Sequence, residues 1–205
     1  MKKIFHNYDI INQHIKLYLM IWEQKMREYI FDNITVDDFD SFYEVMKGSF
    51  PSIEIRDYQG QKNLFDNTMY NVIGYKDKEQ KVCAFLAFWR FEDFNFIEHF
   101  AVDDNLRGNG IGTSLFRNYL NSNSNNEKLT LLEVELPEDD ISLRRIKYYE
   151  RMGMKLNDYD YLQPPLQDGK PFFPLKIMSY GKKIEQDEFK VIKDNIYREV
   201  YRHNI

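Results

Sequence analysis

Apolar residues recur along this chain with two periods, helical and strand-like, and the two alternate. Over 10–25 (IINQHIKLYLMIWEQK), Ile11, Ile15, Tyr18 and Trp22 fall on one face at helical spacing. The next run, MREYIFDNIT (26–35), alternates as a strand does, and Asp37 or Asp38 stands where it can cap a helix reaching about Gly48. SFPSIEIRDYQGQKNLFD (49–66) holds a proline break and a second helix. MYNVIGYK (69–76) and KVCAFLAFWRF (81–91) are β-rich and separated by the charged turn DKEQ, which predicts a hairpin; FNFIEHFAV (94–102) is a third such run. The period then turns helical again, with Ile111, Leu115 and Tyr119 on one face and Phe116 and Leu120 beside them. NSNSNNEK (121–128) is a polar loop, LTLLEVEL (129–136) a strand, and ISLRRIKYYERM (141–152) a helix that Gly153 stops. YLQPPLQDGKPFFP (161–174) is irregular and proline-rich, and LKIMSY (175–180) is a strand. Phe189, Ile192, Ile196 and Val200 mark a C-terminal helix that lids one sheet face. The pattern is one mixed α/β (α+β) layer structure.

Composition narrows the classes. The 205 residues are 43% hydrophobic and 16% aromatic, enough for a sizeable core. A net charge of -5 gives no general attraction to nucleic acid, so no nucleic-acid partner is expected. The lone Cys83 excludes an internal disulfide framework and a cysteine-based zinc cluster, and fits a cytoplasmic setting; no metal is expected. No apolar run is long enough for a membrane span, and no membrane partner is expected. Residues 1–25 stand outside the domain pattern, which starts at Met26 and runs over 26–205. That N-terminal helical extension could pack on the domain, join two copies as a homodimer, or have no role.

Three of the nine glycines crowd into RGNGIG, as Gly108, Gly110 and Gly112, between a strand and a helix. Amides at a helix start point outward unpaired, and the helix dipole adds partial positive charge. Glycines permit the strained turn and let a phosphate approach the backbone. Arg107 adds a charge beside it. The turn therefore reads as a phosphate or diphosphate site. It is not a P-loop, because Thr113 follows Gly112 without an intervening lysine, and its glycine spacing is not that of the dinucleotide fingerprint.

AVDDNLRGNGIGTSLF (101–116) resembles the acetyl-CoA motif of the GCN5-related N-acetyltransferase (GNAT) family, Arg/Gln-x-x-Gly-x-Gly/Ala, with Arg107, Gly110 and Gly112 in the fixed positions. RRIKYYERMGMKL (144–156) resembles the family's FYxxxGF element, with Tyr149 at the tyrosine and Met154 where phenylalanine is usual. The resemblance implies a twisted mixed sheet flanked by helices, with an acetyl-CoA cleft between two splayed parallel strands, FNFIEHFAV and LTLLEVEL. It implies acetyl-CoA as co-substrate, its pantetheine arm on the backbone of Phe100, Ala101 and Val102. The diphosphate would lie on the turn formed by Arg107, Gly108, Asn109, Gly110, Ile111, Gly112 and Thr113. It implies direct transfer to a primary amine of a small molecule or peptide. A non-catalytic acyl-CoA-binding sensor or interaction module is the alternative.

Direct transfer needs a base for the amine and an acid for the thiolate. Glu98, on the strand leading into the turn, is the candidate base or a substrate-binding residue; a side chain that faces solvent or pairs with an arginine is its plainer reading. His99, the next residue on the strand, is expected to point the other way and to be a hydrogen-bonded core histidine. Tyr149, a phenol protonated at neutral pH, is the candidate acid. Glu133 and Glu135 share one face of their strand, so at least one could look into the acceptor cleft; a solvated face is the competing reading. Arg144 and Arg145 open the tyrosine helix and suit the surface. Glu54, Arg56 and Tyr58 lie where the family shapes its acceptor pocket, and with Glu135 they complete the substrate candidates.

Overall fold

Residues 15–17, 20–122, 128–167 and 169–203 are described by the structure, a computed structural model. The strands are, in chain order, β1 (Ile30–Asn33), β2 (Tyr70–Lys76), β3 (Val82–Arg90), β4 (Phe94–Val102), β5 (Leu129–Glu135), β6 (Met154–Gln163) and β7 (Phe173–Tyr180). Between and after them come α1 (Phe39–Ser49), α2 (Tyr58–Lys62), α3 (Ile111–Asn121), α4 (Asp140–Arg151) and α5 (Gln186–Glu199). Helical residues at 15–17 and 20–26 precede β1 and include Ile15 and Trp22 of the first predicted stripe. Ile11 and Tyr18 of that stripe lie outside the described residues, as do 123–127 of the polar loop and Asp168 of the proline-rich segment.

The strands make a seven-stranded mixed sheet in the order β1-β2-β3-β4-β5-β7-β6. Neighbours are antiparallel except β4 and β5, which run parallel. The apolar run of β3 has no alternation because helices cover both faces of the sheet. Under α1 and α5, Phe39, Phe42, Phe189 and Ile196 share one core with Phe85, Trp89 and Phe96. Under α3 and α4, Leu115, Phe116 and Ile146 share the other with Leu86, Phe88 and Ile97.

Two local expectations are corrected. A 3-10 turn, Val36–Asp38, precedes α1, and the Asp38 side chain does not cap that helix. It accepts from the Thr35 N–H at 2.9 Å and pairs at 2.8 Å with Lys76, a buried lysine that needs a counter-charge. The periodicity also passes over β6. MKLNDYDYLQ has no clean alternation because its pairing with β7 slips between Asn157 and Tyr161. There Asn157 is buried and donates to the Ile177 carbonyl at 3.1 Å and the Ser179 hydroxyl at 3.0 Å.

One feature of the sheet positions the site. β4 and β5 pair only from Phe94 opposite Leu129 to Ile97 opposite Leu132. Past that point β4 stays with β3 as far as Val102, while β5 stays with β7 as far as Glu135. The sheet opens into a V, and the backbone groups along its inner edges have no partner strand.

Candidate active site

At the open end of the V, where β4 leads into the glycine turn, α3 starts differently from α4. The N-cap of α4 is Asp139, whose carboxylate accepts from the N–H groups of Ile141 and Ser142 at 2.8 and 2.7 Å. The N-cap of α3 is Gly110, left-handed at φ 81°, with no side-chain cap. The Ser114 N–H, on the Gly110 carbonyl at 2.9 Å, makes the first helical bond. The amides of Ile111, Gly112 and Thr113 precede it and are left for a ligand.

Arg107 braces this turn rather than standing free beside it. Its guanidinium donates to the Val102 carbonyl at 3.2 Å and the Ser49 hydroxyl at 3.3 Å, and pairs with Asp104 at 2.6 Å. The helical residues before β1 also reach the turn. Lys25 Nζ donates to Asn109 Oδ1 at 2.8 Å. A Cβ on Gly110 would lie 2.8 Å from Trp22 Nε1.

A cavity of about 780 Å³ runs through the V. Every residue expected to hold the cofactor lines it except Asn109, and so do Glu54, Glu98, Glu135 and Tyr149. Arg56 and Tyr58 do not line it. Arg56 lies behind Glu98, and Tyr58 is exposed on α2 with its hydroxyl on Asp40 at 2.5 Å. Among the described residues no cluster of three metal-ligating side chains occurs, and no helix is long and apolar enough to cross a membrane.

Glu98 and His99 face the same side, against the expectation of alternation. Ala87 pairs with His99 but Phe88 pairs with Ile97, so Glu98 is the extra residue of a β-bulge. The bulge shifts the alternation by one, and His99 Nδ1 comes within 3.9 Å of Glu98 Oε2. His99 is a buried histidine: Nε2 donates to the Glu54 carbonyl at 2.9 Å, and Nδ1 has no hydrogen-bond partner among the described residues. Burial lowers its pKa, which keeps the ring neutral.

Glu98 is held tightly. Arg56 donates to one carboxylate oxygen at 2.6 Å and the Trp89 indole N–H to the other at 2.8 Å. Burial works to raise its pKa, but the Arg56 charge and the hydrogen bonds from Trp89 and Arg56 outweigh it and lower the pKa below the ordinary value. Arg56 is itself fixed by the Val200 carbonyl at 2.7 Å. The Glu98 side chain does not face solvent but pairs with an arginine, and a carboxylate held this way is a poor proton acceptor for the role of base.

The carboxylate suited to that role is Glu133. It lines the cavity from β5, across the V from Glu98, and no cation pairs with it among the described residues. The hydroxyls of Tyr161 and Tyr201 donate to its two oxygens, the latter at 2.7 Å. Burial pushes its pKa up to about 7; the two tyrosine bonds pull the other way, and the Glu98 charge adds to the rise. The sequence singled out Glu133 only as one of an alternating pair. Its two tyrosines come from β6, which the periodicity misses, and from the residues beyond α5.

Glu135, its neighbour on the same face, is paired with Arg145. Glu54 is pushed up by burial and then by the Glu135 charge, with Arg145 offsetting part of the rise. Arg144 donates to the Asp140 carbonyl at 3.1 Å on the surface of α4. Tyr149 is buried in the wall of the cavity, its ring against Phe116 and Tyr148. Burial raises its pKa, so the phenol stays protonated. Tyr148 lines the same cavity, so both residues of the tyrosine pair are at the site.

The Acetyltransferase (GNAT) family model matches residues 20–154. Among solved structures, a protein described as a GNAT-family acetyltransferase from Bacteroides thetaiotaomicron is 27% identical, with a TM-score of 0.74 over 84% of this chain and 98% of its own. The ribosomal-protein-S18-alanine N-acetyltransferase of Escherichia coli shares the fold at 15% identity and TM-score 0.58, over 78% of this chain and 97% of its own. A chimeric spermidine N-acetyltransferase from Vibrio cholerae does so at 10% identity and TM-score 0.55, over 75% and 95%. No curated protein sequence matches this chain.

Proposed function

Because this chain belongs to the GNAT acetyltransferase family, we propose that it transfers an acetyl group from acetyl-CoA directly to a primary amine in the cytoplasm, with Glu133 as general base and Tyr149 as general acid. The observation that carries this reading is Glu133 itself, a carboxyl inside the V held by two neutral tyrosine hydroxyls, with no paired cation among the described residues and its pKa pushed up to about 7.

The V and its turn suit acetyl-CoA on their own geometry. The uncapped amides at Ile111, Gly112 and Thr113 suit a diphosphate, and the unpaired edge at Phe100, Ala101 and Val102 suits the amides of a pantetheine arm. When bound, acetyl-CoA supplies a thioester whose acetyl carbon is open to attack by an amine.

The rest falls to this chain's side chains. A primary amine arrives as ammonium, which has no lone pair. A base with pKa near the working pH removes that proton best, because it is both unprotonated and basic enough. Glu133 fills that description, and Tyr161 and Tyr201 hold its oxygens in place. Glu54 lines the same cavity without a paired cation among the described residues, and its carboxylate favours a cationic acceptor, a small molecule or a peptide. The amine nitrogen bonds to the acetyl carbon as the carbon–sulfur bond breaks, the Tyr149 hydroxyl gives its proton to the departing sulfur, and the second proton that the nitrogen sheds in becoming an amide restores the Tyr149 phenol. Glu98, with Arg56 and Trp89, fixes the bulge that sets the shape of β4 beside the transfer point.

A panel of amines incubated with acetyl-CoA, followed by free CoA release, tests the reading. Turnover of at least one primary amine, lost in Glu133→Gln, is expected. Tight acetyl-CoA binding with no turnover of any amine would replace it with a binding module.

A further inference from the structure

We propose that the helical residues 20–26, which precede the first strand, form the outer wall of the coenzyme A diphosphate site, with Lys25 as its cation and Trp22 as an added hydrogen-bond donor. This rests on the acetyl-CoA reading above and extends it to a segment outside both sequence motifs.

A diphosphate seated on α3 needs positive charge nearby, and Arg107 is the residue that the motif offers. Its guanidinium is already paired with Asp104 at 2.6 Å and turned toward Val102 and Ser49. Lys25 has no carboxylate partner among the described residues. Its ammonium rests on Asn109 Oδ1 at 2.8 Å, within the turn. Asn109 is itself oriented by donating to the Leu106 carbonyl at 3.1 Å, which leaves Oδ1 facing Lys25. An amide oxygen is a weak, neutral partner for an ammonium, and an incoming phosphate oxygen is a better one.

Trp22 supplies the second observation. Its Nε1 lies 2.8 Å from where a Cβ would stand on Gly110, so the indole edge occupies the open side of the left-handed glycine. Indole nitrogen is a donor only. It has no acceptor among the described residues, and it stands beside amides that are also donors without acceptors. These donors converge beside one turn that water can reach, and an anion seated there would receive them together in place of water. The segment is tied to the domain by Met26 and Tyr29, which pack on the core beneath α3 and α4. The Arg27 and Glu28 amides close its last turn on the carbonyls of Glu23 and Lys25.

Calorimetry with two ligands tests this on the full chain. Acetyl-CoA carries the diphosphate; acetyl-pantetheine has the same thioester and arm without it. Lys25→Ala should weaken acetyl-CoA by about tenfold, as expected for one charge-assisted hydrogen bond, and reduce the salt dependence of its Kd. Trp22→Phe, which keeps an aromatic ring and loses the N–H, should weaken it by several-fold. Neither variant should change acetyl-pantetheine binding, and circular dichroism should match wild type. Unchanged acetyl-CoA affinity in both variants, with wild type binding normally, would overturn the inference and leave the acetyl-CoA reading standing. Tighter binding in either variant would also overturn it, by showing that the segment obstructs the turn. Failure of wild type to bind acetyl-CoA would overturn both.

Discussion

Glu98 and Glu133 sit on adjacent parallel strands, on the same face of the sheet, on opposite arms of one V. Both are glutamates in a largely apolar setting, and both hold two hydrogen bonds from side chains. Their ionisation nevertheless diverges, one pKa lowered and the other pushed up to about 7. The difference is the donor set. Glu98 receives a guanidinium and an indole, and the fixed positive charge of Arg56 overcomes burial. Glu133 receives two neutral phenols, which satisfy its oxygens without cancelling its charge. Two carboxyls with pKa values driven apart in one cavity are suited to different work: one anchors structure, the other exchanges protons near neutrality.

The comparison is broken most severely by removing the cation. Arg56→Ala leaves Glu98 buried without its counter-charge, and the protein should lose about 3–5 kcal/mol of stability, read by urea unfolding. The loss should be smaller at acid pH, where Glu98 can protonate. Glu133→Gln keeps the shape and removes the titrating group. It should lower kcat by roughly 10³-fold at neutral pH with little change in acetyl-CoA affinity, by steady-state kinetics and calorimetry. Tyr149→Phe should lower kcat by roughly 10²-fold, while Tyr148→Phe changes little. If Tyr148→Phe is the inactive one, the acid belongs to the other residue of the pair.

A smaller effect sharpens the comparison through stability. The Glu133 pKa is raised from 4.5 to about 7 on folding, so the folded state holds this proton more tightly than the unfolded one. The corresponding stability is fully present below the unfolded value and is lost as pH rises through the folded value. Glu133→Gln does not titrate, so its Tm should gain on wild type as pH climbs from about 4.5 to about 7, and then level off. Glu98, with its pKa lowered, acts in the opposite sense: its contribution is present above the unfolded value and is lost in acid.

Much of this was open to reading from the chain, and the exceptions have physical causes. The glycine turn, β4 and the apolar stripe of α3 are local patterns, each set by residues close in sequence, and the structure has them where those patterns lie. The side of the strand that His99 faces is not local. It depends on a bulge that only the pairing with β3 defines. The merit of Glu133 as a base is less local still. It depends on Tyr161 and Tyr201, distant along the chain, and on the lack, among the described residues, of a paired cation such as Glu98 has. Tyr58 shows the converse. It is near Glu54 in sequence, but α2 turns it outward onto Asp40.

Carboxyl-carbon NMR on protein labelled at glutamate distinguishes the two carboxyls without a substrate, because it reads protonation itself. The account predicts one resonance titrating near 7, absent in Glu133→Gln, while the resonance lost in Glu98→Gln stays ionised until well into acid. A Glu133 resonance that titrates with the ordinary glutamates, near 4.5, would contradict it.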